Sequence, residues 1–199
     1  MELIFMAATF GGLWWLNSRD QQQRVRLLAG VLGQFQVEKL METVVDGYLR
    51  ALGESDSERS TQVWNMLGQA ETTLSRQIQA FVQAFDQVDA ASARWSTLPL
   101  ALPLAAKLFP RATADFRSLL HIHAKGVEAV LQNQAGLSQR DRAFMLTAEL
   151  LLLQHSCHWF CRSKALASAR SMARHQTPHG QLLASVSAQT RNAYTRLVA

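Results

Sequence analysis

The stretch QHSCHWFC, Gln154 to Cys161, places two histidines, a tryptophan and both of the chain's 2 cysteines close together. Imidazole nitrogen and thiolate sulfur are the ligands zinc prefers, and a cysteine beside a histidine is the core of a nucleophilic pair. On a helix turning about 100° per residue from His155, Cys157 falls at about 200°, Cys161 at about 240° and His158 at about 300°. Cys157, His158 and Cys161 therefore share one side, while His155 points elsewhere. His158 and Cys161, with Cys157 as a third donor, are the candidate ligands of a zinc or haem site. Zinc requires a fourth ligand or a water, and no CxxC, HExxH or second Cys/His pair stands at a recognised spacing.

Two more histidines precede the cluster. If the intervening turn centres on Ala135 and Gly136, antiparallel helices set His123 opposite Ala148 and Glu149, roughly 10 Å of helical rise from His155. That is too far for a shared metal. A buried hydrogen bond between His123 and Glu149 is expected instead, because buried polar groups need partners. His175 and His179 flank a turn and are expected in solvent.

The surroundings of the cluster favour packing over chemistry. From Ala143 to Cys161 the only formal charge is Glu149. Leu150 to Leu153 covers every direction of the helical wheel, so this helix is expected to be enclosed on all sides. Cysteine in such a place behaves as a small hydrophobe, and no cofactor is expected. Cys161 has His158 and Arg162 as neighbours, yet no phosphate loop, GxSxG or strand-following GxGxxG accompanies them. The expected function is non-enzymatic.

The elements that hold these residues read as helices. The chain has 199 residues, 48% hydrophobic and 18% charged, with only 4 prolines to punctuate it. That size allows one domain with a substantial core. Apolar stripes at helical spacing run through Gln21–Leu52 and again from about Glu58 to Ala91, with GESDSERS as the turn between them. WSTLPLALPLAAKLFP, Trp95 to Pro110, is apolar but broken by three prolines. It is expected to cross the bundle end as extended backbone or short turns that cover core, with a membrane-dipping loop and a docking surface as the other readings. Thr113 caps the next helix, which Gly136 ends. Ser138 to Asp141 opens the helix of the cluster as a capping box, and that helix reaches about Ala173. Thr177 and Pro178 open a last helix. No stretch alternates long enough for a strand. The fold class is all-α, a bundle of about five helices: two long N-terminal helices, a proline-broken crossover, a helical hairpin and a terminal helix. Residues 21–199 are expected to form the single bundle domain, after an apolar segment over residues 1–20.

That segment contains an uncharged run from Leu3 to Leu16. As a helix it spans roughly 21 Å against ~30 Å of hydrocarbon. It suits either a membrane anchor, with Trp14 and Trp15 at the interface, or an apolar arm packed on the bundle. Arg19, Arg24 and Arg26 follow it, which places the body in the cytoplasm if the run anchors.

The net charge of +5 is unevenly spread. Arg162, Lys164, Arg170, Arg174, Arg191 and Arg196 form a basic C-terminal region without an acid, leaving 14 basic and 15 acidic residues before it. Interleaved aromatics and a helix-turn-helix signature are both lacking, so nucleic acid is not the expected partner. The sequence points to a cytoplasmic interaction protein, with the inner membrane face as its candidate location and the apolar run, the proline segment and the basic region as contact surfaces.

Overall fold

The computed structural model describes the backbone of residues 2–199 and all side chains among them except those of residues 2–10, Ser57, Ala106 and Lys107. The chain is mostly helical, as its periodicity predicts. Helix α1 (Glu2–Leu32) is followed by α2 (Val37–Gly53) and α3 (Ser57–Phe85). The expected single helix over Gln21–Leu52 is thus two helices. Gly30 and Gly33 weaken helix at that point, Gln34 Nε2 donates to Gly30 O, and the Gln36 amide leaves the helical ladder for Gln77 Oε1 on α3. The break folds α2 back along α3. Gly47 lets the two approach closely, since a Cβ there would lie 2.2 Å from Leu67 Cδ2.

After α3 the chain makes α4 (Ala90–Ala93), strand β1 (Arg94–Ser96), α5 (Ala105–Leu108), a 3-10 turn (Pro110–Ala112) and strand β2 (Thr113–Asp115). The strands are antiparallel, Trp95 opposite Ala114. Each has three residues, too short for an alternation to be visible in the sequence. The second long helix therefore stops at Phe85 rather than near Ala91. Thr113, expected to be a cap, lies in β2 and donates its hydroxyl to Pro110 O. Asp115 caps the next helix by accepting the Arg117 amide.

Helix α6 (Phe116–Gln132) ends before Gly136, with Asn133 as the left-handed C-cap at φ 47°. Ser138 opens α7 (Gln139–Cys161) as expected, accepting the Asp141 amide. The helix does not continue to Ala173: Arg162 breaks it, and Ser163 caps α8 (Lys164–His175). α9 (His179–Ser185) has Pro178 at its N-cap rather than Thr177. Ser187 then caps α10 (Ala188–Val198), so the expected terminal helix is also divided.

Helix α7 lies at the centre, in contact with α6, α8, α9, α1 and α2. From Ala143 onward Glu149 is its only charged residue, as this position demands. Trp159 and Phe160 belong to an aromatic cluster: Phe160 stacks on Phe116 at 4.3 Å, Phe85 meets both edge-on, and Trp159 meets Trp95 at 5.7 Å. β1 exists to deliver Trp95 into this cluster, where it is fully buried.

Candidate functional site

Two faces of α7 carry the polar residues, and the structure separates them. On one face, His123 Nε2 of α6 is 2.9 Å from Ser156 Oγ. The His123 ring lies 6.0 Å from that of Tyr194 on α10, whose hydroxyl is 3.1 Å from His179 Nε2. His179 stacks on His155 at 4.4 Å, and His155 Nε2 meets Ser168 Oγ at 3.0 Å. A polar thread thus runs from α6 through α7 and α10 to α9 and α8.

Burial governs its chemistry. It lowers His123 and His155 each to about 3 and His179 to about 4, with the His179 and Lys164 charges adding to the effect on His155. Ser156 is closed to solvent, and an imidazole that stays neutral to about pH 3 is a weak general base. The thread joins helices at a buried junction and pairs one nitrogen of each of its histidines, leaving His123 Nδ1 and His155 Nδ1 buried without a partner.

The expected His123–Glu149 bond is not formed. Both are fully buried, but Glu149 Oε1 accepts the Ser187 amide at 3.1 Å, and Glu149 Oε2 is buried without a hydrogen-bond partner. Burial raises Glu149 above the usual carboxylate range. His179 and His175 are not in open solvent either: both are half-buried, and His175 Nε2 meets Gln154 Oε1 at 3.1 Å.

On the other face, Cys157, His158 and Cys161 line one pocket, as their angular spacing predicts. Val25, Leu28 and Leu32 of α1, Val37 and Met41 of α2, and Phe81 of α3 complete an apolar cavity of about 180 Å³. Both cysteines are free and half-buried rather than fully enclosed. Burial pushes the Cys161 thiol up to about 11, against the opposing charges of Arg162 and Arg24, and pushes Cys157 higher still. Neither is a thiolate near neutral pH, so neither is primed as a nucleophile. No group of three or more His, Cys, Asp or Glu positioned to hold a metal occurs among the described residues.

The pocket opens towards a larger cleft of about 660 Å³ whose floor is α7, with Leu151, Gln154 and His158. One wall is α2, with Glu38, Lys39, Glu42 and Asp46; the other is α8, with Arg170, Arg174 and His175. The acids repeat every four residues, a signal legible in the sequence, but nothing local shows that α8 stands opposite.

The basic C-terminal region is therefore divided. Arg170 and Arg174 wall the cleft, whereas Arg191 and Arg196 lie on α10, which packs against α6. Arg162 and Lys164 lie near the proline segment: Arg162 lines a crevice with Leu98 and Leu100, and the Ala165 amide donates to Pro99 O.

Residues Leu3 to Phe10 of the apolar run lie outside the described side chains. From Leu13 to Leu16 the run is exposed, Trp14 by 73%. No helix is long and apolar enough to cross a membrane among the described residues. Comparison with protein-family models, with curated proteins and with solved structures gives no match.

Proposed function

We propose that this chain is a non-enzymatic helical-bundle interaction protein that rests on the cytoplasmic face of a membrane through one apolar end. The observation that carries this reading is the meeting of two apolar segments far apart in sequence. Asn17, Gln21 and Arg24 of α1 share a crevice with Leu98, Leu100 and Leu102 of the proline segment. The turn of α1 just before Asn17 exposes Leu13, Trp14, Trp15 and Leu16, and the proline segment exposes Leu100, Leu102, Leu104, Leu108 and Phe109.

Large side chains are seldom left in water together, since enclosing each contributes about 1.5–3 kcal/mol. Leu104 adds a second sign: it holds φ 57°, a left-handed conformation that costs a bulky residue of order 1 kcal/mol and is half exposed nonetheless. Basic groups adjoin this end. The Arg19 guanidinium lies over Trp15 at 5.4 Å, and Arg162 is tied to Gln21 at 2.7 Å. Tryptophan at the headgroup level with arginine beside it suits an anionic interface. A short apolar helix lying in that interface needs no transmembrane length.

Vesicle flotation of the full chain tests the proposal. It is expected to float with phosphatidylglycerol-containing vesicles, to float less on pure phosphatidylcholine, and to lose most binding in both Trp14→Ser/Trp15→Ser and Leu100→Asp/Leu108→Asp. Failure of the parent to float on anionic vesicles overturns the reading. Full retention by the Leu100/Leu108 variant removes the proline segment from it.

A further inference from the structure

The cleft between α2 and α8 and the apolar pocket beside it are one site. They share Glu38, Met41, Gln154 and His158 as lining residues. We propose that this site binds a small amphiphilic zwitterion: an apolar group of about six carbons in the pocket and a head carrying both an ammonium and an anionic group in the cleft.

The apolar part follows from volume. A dry cavity of roughly 150 Å³ accepts a benzene ring, and this pocket holds about 180 Å³ between Leu28, Leu32, Met41, Phe81 and Leu153. A benzyl group or a six-carbon chain fits that space. The cleft, at about 660 Å³, is within the range of small-molecule sites.

The head follows from charge. Glu38, Glu42 and Asp46 stand at successive turns of α2, and Arg170 and Arg174 one turn apart on α8. Like charges at this spacing repel along a helix. None of the five forms an ion pair among the described residues, whose bridges lie elsewhere. The two walls line one cleft with opposite sign, and none of these charges is paired across it. Lys39 moderates the acidic wall without reversing it. A zwitterion set between them answers both walls at once, its anion taking the forked guanidinium groups and its ammonium the carboxylates.

The fields of both walls reach the shared residues. Arg170 and Arg174 help hold His158 below the usual imidazole range, after burial, and Glu38 adds to the upward pressure on the Cys157 thiol. The anion belongs against Arg170 and Arg174 on α8 and the ammonium against Glu38, Glu42 and Asp46 on α2, the two walls of the cleft.

Such a ligand has two sources, a free apolar amino acid or a phospholipid-type head, and two probes separate them. Cys157 and Cys161 are the chain's 2 cysteines and both line the pocket, so their alkylation reports its occupancy. In the full-length protein, maleimide modification at mildly alkaline pH is followed with L-phenylalanine, hexylphosphocholine, hexylamine or hexanoate at millimolar concentration. At least one zwitterion is expected to slow modification about tenfold more than either singly charged compound. Protection by phenylalanine alone identifies the amino-acid class, and by hexylphosphocholine alone the lipid-head class. Arg170→Gln/Arg174→Gln is expected to lose about tenfold in affinity with an unchanged melting temperature. The proposal is overturned if neither zwitterion protects, if hexylamine or hexanoate protects as well, or if the folded double variant is protected like the parent. The membrane test uses different residues, so the two readings stand or fall separately.

Discussion

His155 of α7 and His179 of α9 stack with ring centroids 4.4 Å apart and an interplanar angle of 35°. Two imidazoles this close, His155 fully buried and His179 half-buried, persist as neutral rings, since protonating either places a charge at a poorly solvated junction against its neighbour.

Acid should therefore weaken the fold. The folded state holds His123 and His155 at about 3 and His179 at about 4, while an unfolded histidine titrates near about 6.5. The unfolded chain binds more protons between those values, so stability is full above about pH 6.5 and declines as pH falls towards the folded values. Glu149 opposes this, because its raised affinity for a proton favours the fold as pH falls. Two fully buried histidines outweigh one carboxyl. The expected loss from pH 7 to pH 5 is of order 2 kcal/mol, read as a falling melting temperature. His155→Gln should show a shallower fall, and a flat profile in the parent contradicts the neutral stack.

Glu149 is predicted to act through an acceptor oxygen rather than through its charge. Its Oε1 receives the Ser187 amide at the start of α10. Glu149→Gln keeps an acceptor there and is expected to leave stability within about 0.5 kcal/mol. Glu149→Ala strands that amide and should cost about 1–3 kcal/mol. Urea denaturation of the two variants is the measurement, and equal losses in both would point to the charge instead.

Gly126 marks a close approach of α6 to Thr190 of α10 and Glu149 of α7. A Cβ there would lie 2.3 Å from Thr190 Oγ1 and 2.6 Å from Glu149 Oε2. Alanine is the better helix former by about 1 kcal/mol, but overpacking of this kind costs about 1–3 kcal/mol. Gly126→Ala is expected to lower the melting temperature. Gly68→Ala, where a Cβ meets nothing within 4 Å, should raise it.

The pair Glu71–Arg142 binds α3 to α7. Glu71 is 3% exposed, with Arg142 Nη1 at 3.0 Å and the Tyr48 hydroxyl donating to it from α2. Arg142→Met leaves a buried carboxylate without its countercharge and should cost about 3 kcal/mol. Adding Glu71→Gln is expected to restore part of that loss in thermal unfolding. No recovery in the double variant would mean that Arg142 contributes by packing alone.

The helical segments and the central place of α7 were legible because both depend on local facts, whereas the breaks after Leu32, Cys161 and Ser185 were not. Ser138 announces its cap three residues before Asp141, and the run from Ala143 to Cys161, with Glu149 its only charge, marks the helix that packs on most others. It is not enclosed on every side, since Phe144 is exposed and Leu151, Gln154 and His158 floor the cleft. Glu71 was also within reach, since it falls four residues after Leu67 and three before Leu74, both buried. The strands were not legible. β1 is defined by its pairing with β2, and three residues carry no periodicity of their own.

What the sequence by itself determined is direction. The helical turn fixes which side chains share a face, so Cys157, His158 and Cys161 open on one pocket while His155 turns to another side. What only the tertiary structure decided is height and partner. His123 was expected to meet Glu149 and instead meets Ser156, seven residues further along the same face of α7. Two turns of helix bring the same side round again after about 10.5 Å. Periodicity therefore cannot distinguish the two residues; only the stagger of α6 against α7 can. The same reasoning covers the cleft: the spacing of Glu38, Glu42 and Asp46 belongs to α2, but the arginines opposite are there because Arg162 breaks α7 and returns α8 along it.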